Sequence, residues 1–80
     1  MKTVAYTFAA AKGLRKLPAQ VQADIRAKLA RLAETGGGEV KALKGREEAR
    51  IRVGDYRAIF LETETEITVV KVGHRKDVYK

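Results

Sequence analysis

The run Ala49-Arg50-Ile51-Arg52-Val53-Gly54-Asp55-Tyr56-Arg57-Ala58-Ile59-Phe60 places two alternating stretches, rich in β-branched and aromatic residues, on either side of Gly54-Asp55. A two-residue loop with glycine first favours a type II′ turn, and such a turn leaves the hairpin register no freedom. Val53 then faces Tyr56, Arg52 faces Arg57, Ile51 faces Ala58 and Arg50 faces Ile59. Pleat alternation sends Ile51, Val53, Tyr56, Ala58 and Phe60 to one face and Arg50, Arg52 and Arg57 to the other. Directly opposed like charges weaken a ladder, so three arginines on one patch of sheet point to a bound anion.

The remaining segments supply a core for this hairpin. Val4, Tyr6 and Phe8 alternate through Lys2 to Phe8, as in a short strand. The alanine-rich stretch from Ala9 to about Lys16 predicts a short helix, with Phe8, Ala11 and Leu14 at three-residue spacing and Gly13 as a weak point. Pro18 opens a second helix that runs to about Thr35. Its stripe is Val21, Ile25, Leu29 and Leu32, with Gln22, Arg26 and Arg31 turned away. Gly36-Gly37-Gly38 closes it, and a connector from Glu39 to Glu48 follows.

Three strand-like segments, Ala49 to Val53, Tyr56 to Thr63 and Glu66 to Gly73, predict an antiparallel meander. The expected architecture is α+β in a single domain over residues 1–80: an N-terminal strand, two helices, then a three-stranded meander, forming one twisted sheet with the helices on one face. An odd-length turn around Thr63 to Thr65 would set Val70 and Val72 beside Phe60 and Ala58, with Arg75 on the face of Arg57. An even turn would reverse that placement.

At 80 residues the chain can bury only a modest core. It has no cysteine, and His74 is its one histidine, so neither a disulfide nor a zinc site can staple it and no cofactor is expected. Extra stability has to come from a partner. The N-terminus lacks the apolar core of a signal peptide, and no apolar run approaches the roughly 20 residues a bilayer needs. A soluble, cytoplasmic protein with no membrane association is therefore expected. Seventeen Lys and Arg against ten Asp and Glu give a net charge of +7, suited to RNA, DNA or an acidic protein segment.

Cutting RNA without a metal requires a base for the ribose 2′-hydroxyl, cations for the crowded phosphate and an acid for the departing oxygen. Next to the arginine patch the chain ends Gly73-His74-Arg75-Lys76-Asp77-Val78-Tyr79-Lys80. Arginine holds phosphate oxygens, histidine titrates near neutrality, and tyrosine can stack on a base.

Leu43-Lys44-Gly45, Ala49 through Arg57, and Val70 through Tyr79 together resemble the RelE/ParE toxin superfamily over nearly the whole chain. The resemblance implies a ribosome-dependent endoribonuclease, the toxin of a type II toxin–antitoxin system, that cuts messenger RNA and leaves a 2′,3′-cyclic phosphate. By that resemblance Arg57 holds the scissile phosphate, Arg75 protonates or stabilises the leaving oxygen, and Tyr79 stacks on or orients the substrate. Arg50 and Arg52 stand where well-known members carry lysines. Lys41, Lys44, Arg46, Lys71, His74 and Lys76 are the expected RNA contacts.

Arginine does not surrender its proton as a buried lysine can. The base is then Tyr79 or His74, or else the arginines act by electrostatics with a weak base. The expected partners are the ribosome, messenger RNA and a cognate acidic antitoxin attracted to exposed Ile59 and Leu61 beside the patch. Two rival readings stand beside this one: a ParE-type poison of DNA gyrase, and a basic module that binds nucleic acid without cutting it.

Overall fold

The computed structural model describes residues 2–35, 40–42 and 48–78. Strand β1 (Thr3–Tyr6) leads into helix α1 (Phe8–Arg15) and helix α2 (Ala19–Thr35). Strands β2 (Val40–Ala42), β3 (Ala49–Val53), β4 (Tyr56–Glu62) and β5 (Glu66–His74) follow. They form one five-stranded sheet in the order β1-β5-β4-β3-β2, with β1 parallel to β5 and the other neighbours antiparallel. The α+β arrangement is as expected, with one addition. The connector contributes β2, which pairs with β3 as Val40 with Ile51 and Ala42 with Ala49. Its three residues are too few to announce a strand, and pairing with β3 is what orders them.

Local chemistry explains the helix boundaries. Thr7 caps α1, its hydroxyl accepting from the Ala10 N–H, so the strand ends at Tyr6, two residues earlier than the alternation implies. Phe8 consequently opens the helix with its side chain 78% exposed instead of closing the strand. Pro18 sits just before α2, and its carbonyl accepts from the Gln22 N–H at 3.0 Å. The glycine triplet expected to end α2 lies outside the described residues.

The core lies between the helices and one sheet face. Leu14 of α1 and Ile25, Leu29 and Leu32 of α2 meet Ile51, Ala58, Phe60, Ile67, Val69 and Val72. Complete burial of each large side chain stabilises by about 1.5–3 kcal/mol. Gly13 is a requirement of this packing rather than a flaw in α1. A β-carbon there would drive into the Val72 carbonyl oxygen, because the helix backbone lies directly on β5. At the margin, burial pushes the Tyr6 phenol above its ordinary pKa, while the neighbouring Arg26 guanidinium pulls the other way.

The β4–β5 turn takes the even alternative, but a bulge further along β5 restores the pairing of the odd one. Thr63 N–H donates to the Glu66 carbonyl at 2.9 Å, and Glu62 pairs with Ile67, so the turn is even. Ile67 and Val69, not Val70, therefore face the core at that end, and Phe60 pairs with Val69. A bulge then absorbs Val70, so that Ile59 pairs with Lys71 and Ala58 with Val72. The extra residue reverses the pleat, and from Val72 onward the side chains lie where an odd turn would have put them. Thr7 secures this bulge, its hydroxyl donating to the Val70 carbonyl at 3.2 Å.

Candidate functional site

The Gly54-Asp55 hairpin builds the centre of the site. Gly54 has φ of 59° and no other described residue has positive φ, as a type II′ turn requires. The register is the expected one: Val53 with Tyr56, Arg52 with Arg57, Ile51 with Ala58, Arg50 with Ile59. Ile51, Ala58 and Phe60 are buried under the helices, so Arg50, Arg52 and Arg57 share the helix-free face. Lys71 joins them, since it pairs with Ile59, which pairs in turn with Arg50. Lys41 is the register partner of Arg50 on the other side.

Arg57 is half-buried and folds back over the turn, its Nη1 donating to the Gly54 carbonyl at 2.8 Å and the Tyr56 carbonyl at 2.9 Å. These bonds hold the guanidinium in place without neutralising it. Among the described residues no carboxylate pairs with Arg52 or Arg57. Lys28 of α2 reaches the Arg52 carbonyl at 2.7 Å and ties the end of β3 to the helix layer.

Arg75 lies just past β5 at the same end of the hairpin. Its N–H donates to the Asp55 carbonyl at 2.8 Å, and its Nε lies 3.9 Å from Asp55 Oδ1. Both side chains of this ion pair are more than half exposed, so solvent screens the attraction and leaves the guanidinium available to another anion.

His74 goes elsewhere. It pairs with Tyr56, and the two rings meet edge to face with centroids 5.5 Å apart, on the helix side of the sheet. Its Nδ1 accepts from the Lys76 N–H at 3.1 Å. The Val70 bulge set this parity, which no local pattern announces. Lys76 is exposed in the turn after β5, while Lys44, Arg46 and Tyr79 lie outside the described residues.

Two features escaped the sequence reading. Ile59, expected to be exposed, is only 5% accessible: its ladder neighbours Arg50 and Lys71 have long aliphatic stems, and such stems cover apolar surface. Leu61 does remain at the surface, at 36% exposure. The second is Val78, buried against the bare backbone of Gly73, the ladder partner of Arg57. The turn that delivers it is closed by the Asp77 and Val78 N–H groups on the His74 carbonyl, at 2.8 and 2.9 Å. Glycine followed five residues later by valine gives no sequence signal for such a contact. Among the described residues no three His, Cys, Asp or Glu side chains gather as metal ligands, and no helix is long and apolar enough to cross a membrane.

The fold is that of RelE-type toxins. The chain is similar to the toxin–antitoxin complex RelB–RelE from Methanococcus jannaschii, at 24% identity over 94% of each chain and a TM-score of 0.78. It is also similar to the archaeal RelE–RelB complex from Pyrococcus horikoshii, at 22% identity over 96% of this chain and 98% of that one, with a TM-score of 0.78. The intact RelBE complex of E. coli matches at 21% identity over 92% of this chain and 96% of that one, with a TM-score of 0.77. No curated protein sequence matches. The family model for the ParE toxin of the type II toxin–antitoxin system parDE matches residues 4–79, and the chain belongs to that family, within the RelE/ParE toxin superfamily.

Proposed function

We propose that this toxin is a metal-independent endoribonuclease that cuts messenger RNA on the ribosome and is silenced by an acidic antitoxin. The observation that carries the reading is the Arg52–Arg57 pair, opposed on the helix-free face with no carboxylate among the described residues paired to either. Like charges placed so cost stability, and a phosphate between them reverses the sign of the interaction. In this reading Arg57, already oriented by the turn carbonyls, holds the scissile phosphate. Arg52 and Arg50 add positive charge to the crowded transition state, and Arg75 at the hairpin end stabilises the leaving oxygen.

The base is narrowed by the same geometry. Arginine stays protonated, and His74 has its Nδ1 engaged and its ring against Tyr56 on the other face. Tyr79 is then the candidate base, the role left to it by the resemblance once arginine and His74 are set aside. The test is to incubate the protein with translating ribosomes and map new messenger ends. New 3′ ends carrying a cyclic phosphate, absent with Arg57→Ala, are the expected result.

The family model, named for a ParE toxin, favours a second reading, that of a gyrase poison. A supercoiling assay run in parallel separates the two: inhibition of gyrase with no messenger cleavage would replace the nuclease reading.

A further inference from the structure

Arg75 is held by its backbone more than by its side chain. Its Nε lies 3.9 Å from Asp55 Oδ1 with both side chains more than half exposed, so solvent screens that pair and it fixes little. What fixes the residue is the turn around it. Each of the four N–H groups that follow His74 has a partner, and three of the four land on His74 itself. The Lys76 N–H donates to His74 Nδ1 at 3.1 Å, and the Asp77 and Val78 N–H groups donate to the His74 carbonyl at 2.8 and 2.9 Å. The fourth, that of Arg75, donates to the Asp55 carbonyl at 2.8 Å. Since β5 ends at His74, no ladder pairing orders Arg75 and Lys76, and these bonds take its place. The Nδ1 bond closes a ring around Arg75, as an asparagine or aspartate oxygen does when it accepts from the N–H two residues on. Tyr56 holds the imidazole in turn, the two rings meeting edge to face at 5.5 Å.

We infer that His74 is a positioning residue for the arginine site, its Nδ1 fixing the turn from which the Arg75 guanidinium meets the end of the hairpin. The role in cleavage rests on the nuclease reading, whereas the turn itself is testable without RNA. A ring nitrogen that accepts carries no proton, so the ring proton sits on Nε2. Nδ1 cannot also collect the proton of a ribose hydroxyl without releasing Lys76, and its work is therefore geometric. Geometry is costly to lose at such a place. A displacement of about 1 Å in a group that acts on the reacting atoms can cost about a hundredfold in rate.

The experiment compares two substitutions that divide the side chain between them. His74→Phe keeps a ring for Tyr56 and removes the acceptor. His74→Asn removes the ring and keeps an acceptor the same number of bonds from the Cα. Hydrogen exchange of the full chain reads the turn, with the amides of buried Ile67 and Val69 as the check that the fold is intact. In His74→Phe the Lys76 amide should exchange about tenfold faster, and messenger cleavage on ribosomes should fall by about tenfold to a hundredfold. His74→Asn should restore most of both. Full-rate cleavage by folded His74→Phe would overturn the inference, as would unchanged Lys76 exchange in that variant. So would loss of cleavage in His74→Asn with its Lys76 amide still protected, because the imidazole would then act chemically; this outcome decides even where His74→Phe does not fold. A parent protein that cuts no messenger, while Lys76 exchange follows the expected pattern, would sink the nuclease reading and leave the His74 turn. Cleavage by the parent, with Lys76 exchange indifferent to both substitutions, would sink the role of His74 alone.

Discussion

Arg52 and Arg57 oppose each other directly across the β3–β4 ladder, and no carboxylate among the described residues pairs with either. Arg52 is exposed and fills no part of the core. Arg52→Ala should therefore leave the free protein's stability unchanged or slightly higher, within about 0.5 kcal/mol, while weakening its hold on RNA. Thermal unfolding with and without a short RNA checks both halves. A clear drop in the melting temperature of the free variant would show that the pair is structural.

Arg57→Ala and Arg75→Ala should fold normally yet lose messenger cleavage and growth arrest. Removing one preorganised contact to transition-state charge costs on the order of 3 kcal/mol, about a hundredfold or more in rate. Arg26, on α2 with its guanidinium 6.0 Å from the Tyr6 ring centroid, serves as the control. Arg26→Ala should leave both activities intact. Cleavage at wild-type rate by folded Arg57→Ala and Arg75→Ala would remove these residues from the site.

Gly13→Ala looks favourable by helix propensity, where alanine gains up to about 1 kcal/mol over glycine. The close approach of α1 to the Val72 carbonyl reverses the sign. Backbone cannot swing aside as a flexible side chain can, and forced overpacking costs about 1–3 kcal/mol. Denaturant unfolding should place the variant below the parent; equal or greater stability would mean that α1 can shift outward without loss.

Thr7 serves the helix and the bulge through one hydroxyl, accepting from the Ala10 N–H and donating to the Val70 carbonyl. Thr7→Val keeps the shape and loses both bonds, which should cost about 1–2 kcal/mol. Thr7→Ser should recover most of it. Hydrogen exchange at the amides around Val70 should rise in the valine variant only, and equal protection in both variants would show that the bulge holds without Thr7.

Ribosome binding should weaken steeply with added salt, because several arginines and lysines would displace counterions from phosphate. A saturating acidic antitoxin should raise the toxin's melting temperature by mass action. A flat salt response would point to a protein target, and an unshifted melting temperature would exclude that partner.

How much of this was legible depends on the range of the interactions involved. The hairpin register follows from Gly54-Asp55, since the turn geometry and the pleat are local, and with it came Arg50, Arg52 and Arg57 on one face. The α2 stripe was equally readable, because Ile25, Leu29 and Leu32 repeat at the helical period and are buried as that period requires. Thr7 carried a capping signal that would have set the start of α1 correctly.

By themselves, the amino acids determined the element types, the one-sided arginines and the apolar surface that meets the helices, all through contacts a few residues apart. Only the tertiary structure decided that β1 lies parallel beside β5, that β2 extends the sheet, that Gly13 must be bare where α1 touches β5, and that Ile59 is covered. The bulge at Val70 belongs to this second group and has the widest effect, as it sends His74 to Tyr56 and lays Gly73 open to Val78. Its physical reason is closure. An even turn brings Ile67 and Val69 into the core, and one extra residue must be absorbed before Val72 can join them, a condition imposed by helices packed from far along the chain.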